Sequence, residues 1–202
     1  MSHKVKFLLE IENFTNESLH WVNSEMKTGV FHNSPPYVIM AGHKESFSGR
    51  KASYTLEGAS GSVAYRIGVS GQVFVVSYNC PLFTGNNTLA LQFYQWDQSQ
   101  IDDLPKNGMY DQINVDGSWK KEFIQGERLT PLEVTDEGGD YKLGGGMGVC
   151  HTTIINVSLL PIDNNKIATK LKPGFGLKEP KEIQEVQKHE HEHVHKHVCK
   201  LL

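Results

Sequence analysis

Three runs rich in β-branched and aromatic residues lie close together in the middle of the chain, and they constrain the fold more than any other feature. They span Ser62–Val69, Gln72–Tyr78 and Thr88–Tyr94. A Ser-Gly turn separates the first two runs, and a loop that contains Pro81 and ends in Gly-Asn-Asn separates the second from the third. Because turn-forming residues separate segments of high β propensity, the pattern predicts a meander of three strands.

Strands are also predicted on both sides of this meander. Val5, Phe7, Leu9 and Ile11 alternate with other residues, which predicts an opening strand. Helical periodicity is scarce, and a short helix is predicted only at Asn107–Ile113. The chain is therefore predicted to be all-β. Its remaining candidate strands are Ser18–Asn23, Pro36–Ala41, Glu45–Arg50, Ser53–Glu57, Trp119–Ile124, Arg128–Val134 and Cys150–Leu160, and Asp136–Gly148, with six glycines, is predicted to be a flexible loop.

The length of 202 residues predicts one domain, residues 1–160, followed by a tail, residues 161–202. The domain carries 12 Lys or Arg and 17 Asp or Glu, a net charge of −5, whereas the tail carries +2. A domain of that sign has no electrostatic reason to bind phosphate backbones, so nucleic acid is not an expected partner. Within the tail, Lys170–Pro180 is predicted to be a linker. Glu182–Leu202 has almost no core-forming residue and is predicted to be disordered.

The cysteines and the N-terminus bear on location. Cys80, Cys150 and Cys199 are an odd number of widely spaced cysteines, which fits a reducing compartment. The N-terminus has no signal-peptide pattern, and the chain has no run of about 18 apolar residues. The sequence therefore predicts a cytoplasmic or peripheral membrane location.

No motif in the sequence predicts catalysis. Cys150 and His151 are adjacent in a predicted strand, where their side chains point to opposite faces and cannot act as a catalytic pair. Gly144–Gly148 is glycine-rich but lacks the Lys-Ser/Thr and the following helix of a phosphate loop. We expect a binding protein that is not an enzyme and has no cofactor.

Five histidines alternate with other residues near the C-terminus. In an extended chain they share one face, and in a helix they stack four residues apart, which predicts affinity for transition metals in vitro. Two other interpretations stay open: a charge that responds to pH, because imidazoles titrate near pH 6.5, and a solvated tail of no special role. The candidate metal ligands are His189, His191, His193, His195 and His197.

Several short patterns fall in an order known from one protein family. They include Lys27-Thr28-Gly29, the run Gly58-Ala59-x-Gly61-x-x-Ala64-Tyr65, Ser77, Met109-Tyr110 and Asp116-Gly117-Ser118-Trp119. Over residues 4–160 the chain resembles the actinoporins, which are sea-anemone cytolysins, and their actinoporin-like and fungal fruit-body lectin relatives. The resemblance implies a single β-sandwich of about 10–12 strands with one or two short helices.

The resemblance also implies a function, and this sequence differs from the family in one feature on which that function depends. Family members are secreted, and they line a membrane pore with an amphipathic helix that precedes the first strand. This sequence starts at the first strand, so we expect membrane-lipid binding without pore formation. Family members hold phosphocholine with serines, a proline and tyrosines. The positions that correspond to this pocket or lie beside it are Thr28, Ser60, Ser77, Asn79, Pro81 and Tyr110.

Parts of the family pocket are replaced in this chain. Asn79 stands at the proline position, while Gly85, Asn114 and Val115 stand where the family has tyrosines, and Thr88 and Leu89 replace its paired tryptophans. Each ring that contacts a quaternary ammonium contributes about 0.5–2 kcal/mol, so we expect weakened choline binding. Two alternatives stay open, a lectin-like glycan-binding module and a pore-forming cytolysin. Leu82 and Phe83 are interpreted either as an exposed tip that touches lipid or as a buried loop anchor.

Overall fold

The structure, a computed structural model, describes residues 5–83, 87–102, 110, 122–123 and 132–176. The described part forms twelve strands. They are β1 (Lys6–Asn13), β2 (Leu19–Thr28), β3 (Val30–Asn33), β4 (Val38–Ile39), β5 (Lys44–Arg50), β6 (Ala59–Ile67), β7 (Gln72–Cys80), β8 (Thr88–Gln95), β9 (Glu122–Phe123), β10 (Leu132–Thr135), β11 (Tyr141–Met147) and β12 (Thr152–Pro161).

These strands form two six-stranded sheets, which confirms the predicted all-β sandwich. Sheet I has the strand order β10-β11-β12-β1-β5-β3, and sheet II has the order β4-β2-β6-β7-β8-β9. In sheet I, β1 is parallel to β12 and antiparallel to β5. The apolar residues predicted to alternate along the first strand do so, since Phe7, Leu9 and Ile11 are buried.

The predicted meander is confirmed as β6, β7 and β8, which pair antiparallel in sequence order. It forms the middle of sheet II. Residues of β6 alternate between the two faces, so Val63, Tyr65 and Ile67 enter the core between the sheets. The residues between them point to the opposite side, which we call the outer face of sheet II.

The core is closed by aromatic contacts between the sheets. The ring centroid of Phe7 in sheet I lies 4.4 Å from that of Tyr78 in sheet II and 6.2 Å from that of Phe47. Gly49, beside Phe7 in the β1–β5 pair, makes room for this ring. A Cβ atom at Gly49 would lie 2.4 Å from Cε1 of Phe7.

Two sequence predictions were wrong, and one strand was missed. Ser53–Glu57 forms turns and bends and pairs with no described strand. Asp136–Gly148, predicted to be a flexible loop, contains β11, whose residues Tyr141, Leu143 and Met147 are buried. Its glycines allow close packing, because a Cβ atom at Gly145 would lie 3.0 Å from Cδ1 of Leu91. The missed strand is β3.

Regular structure continues beyond residue 160. Two short 3-10 helices, Asn164–Lys166 and Thr169–Phe175, follow β12. Between them Ile167 and Ala168 are buried, and Ile167 forms an isolated β-bridge with Thr15. The division of the chain at residue 160 stays a prediction.

The one α-helix whose bounds are described is α1 (Gln98–Asp102), which was not predicted, and Tyr110 is also helical. The helix predicted at Asn107–Ile113 lies outside the described residues except for Tyr110, as does most of the strand predicted at Trp119–Ile124. The same holds for the tail beyond residue 176. Within the described part, no helix is long and apolar enough to cross a bilayer.

The contact between Gly49 and Phe7 gives a test of the core. We expect Gly49→Ala to lower the free energy of unfolding by about 1–3 kcal/mol, because the new methyl group overlaps a ring that is held on its other sides. Gly146→Ala is the matched control in the same sheet, since a Cβ atom there meets nothing within 4 Å. Denaturation in urea measures both. Equal losses would contradict the packing role of Gly49.

Candidate functional site

The predicted binding residues of sheet II lie together near one end of the sandwich. Thr28 of β2, Ser60 of β6 and Asn79 of β7 are neighbours in one cross-strand row, which continues to Thr88 of β8. Ser77 lies in the adjacent row on the same outer face, opposite Ser62. The pairing register thus brings together hydroxyl and amide side chains that are up to 60 residues apart in the sequence.

The hydroxyl groups of this cluster differ in their hydrogen bonding. The Oγ1 atom of Thr28 and the Oγ atom of Ser60 are 2.8 Å apart and share a hydrogen bond. The hydroxyls of Ser62 and Ser77 are buried and have no hydrogen-bond partner among the residues that the structure describes. Ser60 and Ser77 are only 4% and 1% exposed. In this conformation, neither of these two side chains is accessible to a ligand.

Tyr110 approaches the same face through its backbone. Its amide N donates a 3.0 Å hydrogen bond to Oε2 of Glu25, which is paired with Ser62 across β2 and β6. Pro81 directly follows β7. Ligand binding by the six candidate residues of sheet II and its surroundings stays a prediction. The five candidate metal-binding histidines lie outside the described residues.

The loop after Pro81 combines the two interpretations made from the sequence. Leu82 is buried in the core cluster, and its carbonyl O lies 2.9 Å from Nε2 of His151. The next residue, Phe83, is 67% exposed. Leu82 therefore anchors the loop, whereas Phe83 is its exposed tip.

An open cavity of about 780 Å³ lies at the same end of the sandwich. It is bounded by the start of β1, the end of β5, the loop that follows β5, and the Leu82–Phe83 tip. No Asp or Glu occurs among the described residues that line it. The described lining residues that the site depends on are Lys6, Phe7, His32, Arg50, Lys51, Tyr54, Leu56 and Phe83.

The loop after β5 is held in shape by a lysine. The Nζ atom of Lys51 donates hydrogen bonds to the carbonyl O atoms of Ala52 (3.0 Å) and Thr55 (2.9 Å). At the top of this loop Tyr54 is fully exposed and has φ = 62°, a left-handed backbone conformation that is costly for a bulky residue. Leu56 is 79% exposed. We call Tyr54, Leu56 and Phe83 the apolar rim of the cavity.

Two buried groups near the core have a raised pKa. Burial raises the pKa of the Cys80 thiol to about 12, so this thiol stays protonated at neutral pH. Burial likewise raises the pKa of the Tyr78 hydroxyl, which donates to the sulfur of Met26. Among the described residues there is no group of three or more His, Cys, Asp or Glu side chains that could hold a metal ion.

Comparison with known proteins gives a structural likeness only. No protein-family model and no curated protein matches this chain. The fold is similar to that of the lipid-binding protein Nakanori, with a TM-score of 0.59 and 15% sequence identity over 77% of this chain and 70% of Nakanori. Two weaker likenesses are IP-1A from Alcaligenes faecalis (TM-score 0.44, 12% identity, 78% of this chain and 91% of that one) and the RahU protein in complex with Tris (TM-score 0.42, 9% identity, 79% and 97%).

The sequence patterns do not indicate the cavity, and of the three rim residues they single out only Phe83. Tyr54 and Leu56 alternate with polar residues, so they were assigned to a strand. A signal was present in the turn-forming Ser53 and in Gly58, which end the regular alternation. The fold brings this segment next to Phe83, 27 residues beyond Leu56, and this proximity depends on the strand pairing.

The unequal hydrogen bonding of the hydroxyls predicts unequal effects on stability. We expect Thr28→Val to lower the free energy of unfolding by about 1 kcal/mol, because it leaves the buried hydroxyl of Ser60 without its partner. Ser77→Ala removes a hydroxyl that has no such bond, and we expect no loss of stability. Chemical denaturation of the two variants beside Ser62→Ala checks this. If Ser77→Ala costs as much as Thr28→Val, the hydroxyl of Ser77 is bonded and the assignment is wrong.

Proposed function

We propose that this protein binds lipid membranes through the end of the sandwich that carries the apolar rim. The observation that carries the proposal is the exposure of three large apolar side chains, Tyr54, Leu56 and Phe83, around one open cavity. Exposed apolar side chains that are grouped together are typical of interaction sites, whereas singly scattered ones are normal on protein surfaces. The likeness of the fold to the lipid-binding protein Nakanori supports the same class of partner.

The energetics suit a peripheral and reversible attachment. Burying one large apolar side chain contributes about 1.5–3 kcal/mol. Leu56 and Phe83 lie on two separate loops, so two anchors can enter the headgroup layer at once. The loop of Tyr54 is tied by the Lys51 hydrogen bonds, and such a rim loses little conformational freedom on docking.

The opposite end of the sandwich also exposes apolar residues, among them Tyr37, Met40 and Val69. The ring of Tyr37 packs edge-on against Trp21, with centroids 5.6 Å apart. This contact restrains Tyr37 and makes it less suited to insertion. The opposite end therefore supplies matched control positions for the rim.

The finer proposal is that the headgroup is phosphocholine and that the cluster of sheet II recognises it. Hydroxyls without a hydrogen-bond partner among the described residues, such as that of Ser77, are suited to bond a phosphate. Because Ser60 and Ser77 are buried, this recognition requires an opening of the outer face. Its proposed residues are Thr28, Ser60, Ser77, Asn79, Pro81 and Tyr110.

Glycan binding is the second candidate, and one observation favours it. A cleft of about 460 Å³ on the outside of sheet I is lined by polar side chains, among them Glu10, Glu133, Asn156 and Ser158. Among the described lining residues it has no aromatic ring on which a sugar could stack, so lipid binding is the better supported function. A glycan array probed with the wild type, with Asn156→Ala of this cleft, and with Asn79→Ala and Tyr110→Ala of the sheet II cluster tests this candidate. A signal that one of these variants loses would favour glycan binding at that site, and silence of the wild type on the array would count against it.

Substitution of rim residues tests the docking end. We expect Tyr54→Asn and Phe83→Ser each to weaken sedimentation with phosphatidylcholine and sphingomyelin vesicles about tenfold, the factor that corresponds to 1.4 kcal/mol. Asn tolerates the left-handed backbone, so Tyr54→Asn keeps the loop. Tyr37→Asn at the opposite end is the control and is expected to bind as the wild type does.

Two results would overturn the proposal. One is the absence of wild-type binding to any vesicle, and the other is a loss of binding in Tyr37→Asn without a loss in the two rim variants. Dye release from the same vesicles is recorded in parallel, because it separates docking from permeabilisation.

A further inference from the structure

We infer that the cavity behind the apolar rim binds the headgroups of acidic phospholipids through their net negative charge, so that docking prefers anionic membranes. This inference rests on the proposed function and names the lipid class that the exposed end would select. It concerns side chains outside the hydroxyl cluster of sheet II.

Two cations of the cavity have no acidic partner among the described residues. Lys6 of β1 and Arg50 of β5 are directly opposite each other in the antiparallel register, and both line the cavity. Like charges in this position destabilise a sheet. Among the residues that the structure describes, no carboxylate forms an ion pair with either of them. An anion bound in the cavity would remove this repulsion.

The same two strands show the contrast at their other end. There Lys44 is opposite Glu12 and forms a 2.7 Å ion pair with Glu10. One end of the β1–β5 pair is therefore neutralised within the protein, whereas the cavity end is not. The difference indicates that the negative charge that neutralises Lys6 and Arg50 comes from a bound ligand.

The cavity adds further hydrogen-bond donors. Two of the three protons of the Lys51 ammonium bind loop carbonyls, which leaves one donor and fixes the position of the charge. The guanidinium of Arg50 can bind two oxygens of a phosphate at once. His32 also lines the cavity. The cavity thus has three cations, Lys6, Arg50 and Lys51, and no acidic residue among its described lining residues, so its charge is opposite to that of an acidic headgroup.

The surroundings of these cations favour a lipid over a soluble phosphate ion. A free ion uses only the charges, whereas a membrane also covers Tyr54, Leu56 and Phe83. Each Lys or Arg near an anionic membrane surface strengthens binding about fivefold. The domain as a whole carries a charge of −5, so the attraction depends on which end faces the membrane.

Vesicle binding by charge variants tests the inference. The full chain and the variants Lys6→Gln, Arg50→Gln and Lys142→Gln are sedimented with phosphatidylcholine vesicles with and without phosphatidylserine. Lys142→Gln is the matched control, since it removes one cation elsewhere on sheet I, where Lys142 pairs with Glu133 at 2.7 Å. We expect the wild type to prefer the anionic vesicles and to lose this preference at high salt.

The variants separate the role of the cavity from general charge. We expect Lys6→Gln and Arg50→Gln each to weaken binding to anionic vesicles about fivefold, while binding to neutral vesicles and the anionic binding of Lys142→Gln stay unchanged. In low salt, Lys6→Gln is expected to unfold at no lower urea concentration than the wild type, because it relieves a repulsion. A loss of binding without a loss of stability therefore excludes misfolding.

The outcomes distinguish the inference from the function on which it rests. Equal wild-type binding to neutral and anionic vesicles would overturn the inference and leave lipid binding intact. So would an equal effect of Lys142→Gln, or full displacement from vesicles by inorganic phosphate at the concentration of the lipid phosphate. If the wild type bound neither neutral nor anionic vesicles, both the inference and the proposed function would be wrong.

Discussion

The packing of the Phe7 ring between the two sheets is the contact on which the rest of the structure depends. The ring fills the space left by Gly49, contacts Tyr78 of the facing sheet, and forms part of the floor of the end cavity. It therefore sets the distance between the sheets at this end. The cations of the cavity are the next residues along the same paired strands, because Lys6 precedes Phe7 and Arg50 follows Gly49.

Buried polar groups of the sandwich differ in whether they have a hydrogen-bond partner in the described part. At the end away from the cavity, the side-chain amide of Asn13 donates to the carbonyl groups of Glu17, Ile39 and Met40, and its Oδ1 accepts from Thr15. Such a satisfied network stabilises a structure. Near the cavity end, Ser77 is buried without a hydrogen-bond partner in the described part. Unsatisfied buried groups cost free energy, and the Nε1 atom of Trp21, near the end away from the cavity, is likewise buried without a partner in the described part.

What could be predicted from the sequence depended on local signals. The meander was predictable because its β-branched runs and turns are adjacent in the chain. The strand β11 was not, because its glycines suggest a loop, and the reason for Gly145 is a leucine of β8, Leu91. The end cavity was hidden for a similar reason. Lys6 and Arg50 are 44 residues apart in the sequence, and only the register of β1 and β5 places them opposite each other.

The distribution of charge along β1 is compatible with the proposed docking on an anionic membrane, although residues 1–160 carry a net charge of −5. Lys6 lies at the exposed end of the strand, and Glu10 follows four residues later, about 14 Å further along at the rise of an antiparallel strand. The screening length at physiological salt is about 8 Å. A membrane at the level of the apolar rim therefore senses Lys6 and Arg50 strongly and the carboxylates of Glu10 and Glu12 weakly. Because the rim and the cations share this end, hydrophobic burial and electrostatic attraction select the same orientation.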